Sequence, residues 1–448
     1  MSSKADTRNM NQEKKCELNP TLRFPEFRDT GNWEDISFCD LLEDILDFRG
    51  RTPLKLGMEW GGGNIISLSA NNVKNGYIDY DAECNLGSQA LYEKWMGKVS
   101  LEKNDIVFTM EAPLGNALLI PDTNKYILSQ RVVVFKTKKE VNNFFLIQLI
   151  WSERFQSLIN KLATGSTAKG INQKSLKKVF VKIPSPSEQQ KIAGCLSSIS
   201  DRITAETQKL DTLKEHKKGL MQQLFPAEGE TLPKLRFPEF QDAGEWDRYA
   251  FDDLLDIIDG DRGSNYPKSD EFSNSGYCVF LNAKNVTKSG FKFEEIQFLT
   301  KEKDKILRKG KLQRLDVVLT TRGSVGQFAF YSDDVLYNNI RINSGMVVLR
   351  IKSQKINADY LYTFCKSQVL SNYIENIAFG NAQQQLTVAE IKKFPIFFPQ
   401  PKEQQKIADC LSSIDEAIAT QTQKIDTLKN HKKGLMQQLF PSVEEVKG

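Results

Sequence analysis

Only two histidines occur in the chain, His216 and His431. Both lie in an eleven-residue phrase, HKKGLMQQLFP, spelled identically at 216–226 and 431–441. A Ser-His or Cys-His catalytic pair needs its histidine beside the nucleophile. The blocks that precede each phrase contain none, so histidine-based catalysis is excluded there. No G-x-x-x-x-G-K-[ST] loop is present to cradle a nucleotide phosphate. The GGG at 61–63 lacks the strand-turn-helix context of a dinucleotide fingerprint and reads as a loop. No N-P-P-Y-like tetrapeptide, of the kind that grips a flipped adenine, is found, and no repeated acidic pair suits general acid-base work. Seven cysteines without a C-x-x-C pair fit a reduced compartment, not a disulfide or zinc framework. What remains is a set of loops rich in Arg, Lys, Asn, Gln, Ser and Gly, the types that donate to phosphates and read base edges. The chemistry this implies is recognition.

The elements that must position these loops come in duplicate. EQQKIAGCLSSISDRITAETQKLDTLKEHKKGLMQQLFP, ending at Pro226, matches EQQKIADCLSSIDEAIATQTQKIDTLKNHKKGLMQQLFP, ending at Pro441, at about 30 of 39 positions. A second shared element begins at Leu22 (LRFPEFRDTGNWEDISFCDLLEDI) and again at Leu235 (LRFPEFQDAGEWDRYAFDDLLDI). Between each pair lies a block that has diverged. Short β-branched runs such as IVFT, RVVVF, DVVLTT and MVVLR, bounded by Gly and Asn, predict strands, and NNFFLIQLIWSERFQSLINKL and NADYLYTFCKSQVLSNYIENI carry helical spacing.

The duplicated segment places apolar residues at steps of four and three: Ile192, Leu196, Ile199, Ile203, Leu210, Leu213 and Leu220, then Ile407, Leu411, Ile414, Ile418, Ile425, Leu428 and Leu435. This is a heptad seam, interrupted at Glu206 or Gln421 and at Lys217 or Lys432. Pro184 and Pro186, like Pro399 and Pro401, should stop any helix before Glu188 or Glu403. Each helix then runs about 36 residues, or about 54 Å. One apolar seam needs a partner, and the other copy supplies it. The alternative is that each helix packs on its own domain. The predicted fold class is therefore α/β (α+β): two globular domains joined by two long helices in an intramolecular, antiparallel coiled coil with pseudo-twofold symmetry. Boundaries are drawn at 1–21 (polar tail), 22–185 (first domain), 186–226 (first helix), 227–234 (linker), 235–400 (second domain), 401–441 (second helix) and 442–448 (C-terminal tail).

A net charge of +4 over 448 residues, 40% of them hydrophobic, confines any basic surface to local patches. Two tracts stand out, KSLKKVFVK and KEKDKILRKGKLQR. No run of 18 apolar residues and no signal-peptide core is present, which points to the cytoplasm and away from membranes.

Taken together, the two variable blocks, the IPSPSEQQKI and FPQPKEQQKI starts, the duplicated helices and the GSTAKGINQKSL element resemble the specificity subunit of type I restriction-modification enzymes from Leu22 to Pro441. The resemblance implies a non-catalytic chain whose variable domains are target-recognition domains, each gripping one half of a split, asymmetric site in double-stranded DNA. The helices would act as a ruler and dock two methyltransferase subunits. No cofactor would bind this chain. S-adenosylmethionine would belong to the methyltransferases, and ATP and Mg to separate restriction/translocase subunits. The repeated phrase is then the same surface offered to two identical partners. A rival reading is a coiled-coil adaptor, or a DNA-binding protein acting without a methyltransferase.

Candidate DNA contacts follow from matching the two blocks. Residues equal in both, Arg49 with Arg262 and Asn72 with Asn285, are candidates for scaffold or phosphate contacts. Residues that differ are candidates for base readout: Arg51 and Thr52 against Ser264 and Asn265, Asn71 against Lys284, Glu111 against Arg322, and Ala168 and Lys169 against Gln383 and Gln384. Lys74, Gln130, Arg131 and Ser324 complete the set.

Overall fold

A computed structural model describes residues 19–165, 168–227, 229–378 and 385–441. The chain divides into two compact units, residues 1–207 with 423–448, and residues 208–422. Each unit therefore takes the start of one long helix and the end of the other.

In the first unit, strands β1 (Glu34–Ser37), β2 (Leu42–Leu46), β3 (Ile106–Thr109), β4 (Ala117–Leu119), β5 (Val132–Thr137) and β6 (Phe180–Ile183) surround helices α1 (Asn143–Trp151) and α2 (Glu153–Leu162). Four of these strands form an antiparallel sheet in the order β2-β5-β3-β4, with Val134 opposite Leu46 and Val132 opposite Thr109. Alternate residues of a strand point to opposite faces. Ile106, Phe108, Val133 and Phe135 pack with α1 and α2, and Val107, Val132 and Val134 pack with a second, three-stranded sheet. Burial of both faces explains why IVF and VVVF lack polar alternation. The helix α3 (Pro186–Leu224) leaves this unit near its middle.

The second unit repeats the plan with β7 (Asp247–Ala250), β8 (Leu255–Asp259), β9 (Val317–Thr320), β10 (Phe328–Phe330), β11 (Met346–Ile351), β12 (Pro395–Phe398), α4 (Ala358–Cys365) and α5 (Gln368–Ala378). Its sheet runs β8-β11-β9-β10, again antiparallel. Val317, Leu319, Val347 and Leu349 face the helices, and Val318, Met346 and Val348 face the other layer. The helix α6 (Pro401–Leu439) starts here.

Both long helices begin at a proline, Pro186 and Pro401, where their boundaries are drawn and two residues before the Glu188 and Glu403 that the prolines are expected to precede. Proline suits the first helical position because its missing N–H would be unbonded there anyway. None of the fourteen seam residues is exposed. In the first unit Ile192 and Leu196 of α3 share a core with Leu435, Met436 and Leu439 of α6, and Glu206 pairs with Lys424 at 2.5 Å. In the second, Leu220 and Leu224 share a core with Ile407 and Leu411, and Lys217 pairs with Asp415 at 2.5 Å. Ascending numbers on one helix meet descending numbers on the other, so the pairing is antiparallel. Two of the four polar interruptions of the seam, Glu206 and Lys217, thus form ion pairs that hold its register. Each helix start also packs on its own domain, so both packing modes foreseen from the sequence coexist.

Candidate nucleic-acid interface

In both four-stranded sheets the first strand ends, the central strand begins and the third strand ends along one edge, because neighbours are antiparallel. On the first unit that edge carries Asp47–Arg49 after β2, Glu111 after β3 and Gln130–Arg131 before β5. On the second it carries Asp259 at the end of β8 with Gly260–Arg262 after it, Arg322 after β9 and Ser344–Gly345 before β11. Most of the candidate residues converge here.

On the first unit the edge opens into a polar cleft of about 610 Å³ lined by Arg51, Thr52, Asn71, Gln130 and Arg131, with Trp60 and Trp95 in its wall. Arg51 stacks over Phe48 at 4.2 Å and donates to the Trp95 carbonyl. Thr52 Oγ1 accepts from the Lys55 backbone at 3.3 Å. Arg49 is held by Asp47, at 2.8 Å from Nε and 2.5 Å from Nη2. Gln173 Nε2 donates to the same carboxylate at 2.9 Å, tying the 168–173 loop to the edge. Burial alone would raise the Asp47 carboxyl, but the Arg49 and Gln173 bonds outweigh it and hold the group below its ordinary value. Arg131, at φ 70°, pairs with Glu111 at 3.3 Å. Glu111 also bridges Gly170, which brings exposed Lys169 alongside.

On the second unit exposed Arg262 pairs with Asp259 at 3.0 Å and reaches the Ser344 carbonyl at 3.4 Å. The approach is close: a Cβ on Gly260 would stand 2.2 Å from the Asn343 carbonyl, so this position needs glycine. Ser264 and Asn265 follow on the same loop, exposed and half-buried. Arg322 is exposed and bridges Gln385. A Cβ on Gly323 would lie 3.9 Å from Ala283 Cβ, which brings the loop of Lys284 next to Arg322. Lys284 itself pairs with Glu295 at 2.6 Å. Ser324 is exposed, and its carbonyl accepts from Thr320 Oγ1. Gln383 and Gln384 lie outside the described residues.

Three nominations are corrected. Asn72 is fully buried, with Oδ1 accepting from Ser69 N at 2.8 Å and Nδ2 donating to the Ser67 carbonyl at 2.9 Å. Asn285 is 1% exposed, accepting from Asn282 N and donating to the Lys292 and Glu295 carbonyls. Both asparagines lock a turn and are buried away from any DNA, so of scaffold and phosphate contact they serve as scaffold. Lys74 is half-buried on the small hairpin of Val73–Lys74 with Tyr77–Ile78 and does not line the cleft. Part of each basic tract is also structural. Lys182 is buried in β6, Lys303 pairs with Glu271, Lys311 with Asp304, and Arg314 donates to the Ser332 and Val335 carbonyls.

Sequence reasoning missed the cleft walls, Trp60 and Trp95, and Ser67, whose buried hydroxyl lines the cleft without a hydrogen-bond partner. It also missed Gly345, although aligning SQR at 129–131 with NSG at 343–345 would have set it against Arg131. Among the described residues, no group of three or more His, Cys, Asp or Glu could hold a metal ion, and no helix is long and apolar enough to cross a membrane.

Two α/β units with matched loop edges, threaded by a pair of long antiparallel helices, define a bipartite recognition protein. The family model described as type I restriction modification DNA specificity domain matches twice, at residues 31–215 and 243–430. The chain belongs to this family: it is a non-catalytic specificity subunit. It is 22% identical over 439 residues to the type I restriction enzyme MjaVIII specificity subunit of Methanocaldococcus jannaschii, covering 95% of both chains. Its fold is similar to the crystal structure of a type I restriction-modification S subunit from M. genitalium, with TM-score 0.60 and 16% identity over 95% of this chain and 100% of that one. A chain from a structure of type I R-M complex assembly and conformational transition gives TM-score 0.55 and 16% identity, over 92% of this chain and 98% of the other.

Proposed function

We propose that each unit reads one half of an asymmetric, bipartite site in double-stranded DNA and that the chain assembles with other subunits of a type I restriction-modification system in the cytoplasm. The observation that carries this reading is the convergence of candidate residues on the same sheet edge of both units, Arg49, Arg51, Gln130 and Arg131 on the first and Arg262 and Arg322 on the second, in loops that differ between them. Arginines anchored on a neighbouring carboxylate, Arg49 on Asp47 and Arg262 on Asp259, suit phosphates, which carry no sequence information, and the divergent side chains suit base edges. Phosphate contacts should make affinity fall steeply with salt.

The helix pair sets the gap between half-sites, and half-sites roughly 34 Å apart are within the reach of such a helix. The duplicated helix surface docks two methyltransferase subunits. S-adenosylmethionine is used by those partners, and ATP and Mg by restriction/translocase subunits. The test is selection from a pool of randomised duplexes by the assembled chain and methyltransferase. Enrichment of two unrelated short motifs at a fixed gap is expected. Enrichment of a palindrome, or binding to DNA that is absent or insensitive to salt, would favour an adaptor role instead.

A further inference from the structure

The loops after β3 and β9 are built alike. Glu111 bridges Gly170, and its counterpart Arg322 bridges Gln385. Each also faces the residue that leads into the central strand. In the first unit that residue is Arg131, whose Nε lies 3.3 Å from Glu111 Oε1, with both side chains about half exposed at 47% and 45%. In the second unit it is Gly345, whose backbone carbonyl accepts from the Arg322 N–H at 3.3 Å, and a Cβ placed there would stand 3.7 Å from Arg322 Cβ. Gly345 thus opposes Arg322 with no side chain. Among the described residues the exposed Arg322 guanidinium has no hydrogen bond or ion pair.

The geometry points to a matched specificity position, read as guanine by Arg322 in the second unit and as cytosine by Glu111 in the first. This rests on the reading of both units as DNA-binding. A guanidinium with no partner among the described residues gives up none of them when it binds. Its fork fits guanine O6 and N7, the commonest bidentate contact in the major groove. A bare carboxylate would be repelled by the phosphate backbone. Arg131 neutralises Glu111 while leaving Oε2 free to accept from the cytosine N4 amino group. The same position thus carries opposite hydrogen-bond polarity in the two halves.

The test uses the chain assembled with its methyltransferase subunit and sequencing of duplexes selected from a randomised pool, with half-sites assigned by exchanging residues 40–185. Arg322→Ala should lower the preference for one guanine in the second half-site by about tenfold or more, leaving the first half-site unchanged. The double variant Glu111→Arg with Arg131→Gly transplants the second unit's arrangement. It should switch one position of the first half-site from cytosine to guanine, and a φ of 70° at residue 131 suits glycine. Glu111→Gln provides a milder second variant and should relax the cytosine preference. Unchanged motifs in variants that unfold at the wild-type temperature would overturn the assignment. So would lowered affinity with unaltered base preference, which would make these residues phosphate or scaffold groups. If the wild-type complex enriches no bipartite site, the functional reading itself fails first.

Discussion

Glu188 and Glu403 are each 1% exposed, and each is gripped by an arginine from the repeated LRFPEF element. Arg23 reaches Glu188 through Nε and Nη2, both at 2.7 Å, and Arg236 reaches Glu403 at 2.7 and 2.8 Å. The next residue of each helix start works on the neighbouring helix: Gln189 Oε1 accepts from Asn142 N, and Gln404 Oε1 from Asn357 N, both at 3.0 Å. The EQQ motif is therefore a dock that seats the long helix on its domain. Arg236→Ala would strand a buried carboxylate, at a cost of about 3–5 kcal/mol. Thermal unfolding should show that loss. Replacing both partners with Arg236→Met and Glu403→Leu should cost much less, because no buried charge is left unpaired. The two EQQ starts were legible as a duplicated motif, but not as a dock, since the arginine lies about 165 residues away in sequence. Asn72 and Asn285 misled for a related reason. An asparagine shared by both copies looks the same in sequence whether its amide faces a base or its own turn.

The identical phrase meets different neighbours at the ends of the two helices. Lys432 lies 5.5 Å from the centre of the Trp151 ring. Its counterpart Lys217 stands in a unit that has Lys366 where the first has Trp151, and Asp415 pairs with it. Burial pushes the Lys366 ammonium below its ordinary value, and Asp415 opposes that shift. Asp415 takes the place that Ser200 holds in the other helix, so Asp415→Ser should weaken the second unit by about 1 kcal/mol. The sign with pH follows from a lysine whose folded value lies below its unfolded one. Folding disfavours its charged form, so the deficit should be present at neutral pH and fade as pH rises into the ordinary lysine range. Urea unfolding at two pH values measures this. The seam was legible because its heptad period is local, and the strands because β-branched runs bounded by Gly and Asn are local signals too. The ion-pair partners that fix register, Lys424 for Glu206 and Asp415 for Lys217, were not, because register belongs to two segments at once.

At the scale of the whole chain, the first unit closes through residues far apart in sequence. Leu22 N donates to the Gln438 carbonyl at 2.9 Å, in the manner of Leu235 N and the Gln223 carbonyl, also at 2.9 Å. In the second unit the peptide linker joins the two segments that meet, and in the first the two segments that meet are about 416 residues apart in sequence. A circular permutant that joins Pro441 to Leu22 through a copy of residues 227–234, and opens within that linker, should fold with unchanged thermal stability and target preference. Failure to fold would show that the linker carries more than connection. The duplication made the two-domain plan readable. The sharing of each unit between both helices emerged only from packing, where Phe440 sits against Trp33 and Phe145, and Phe225 against Trp246 and Tyr360.

Single-molecule sequencing of native DNA from host cells with and without this gene tests the central claim most directly. A split motif with two unrelated halves should be modified at adenine only when the gene is present, and exchange of residues 40–185 should alter one half alone. An unchanged methylation pattern while the methyltransferase partner is expressed, or a modified palindrome, would contradict the account.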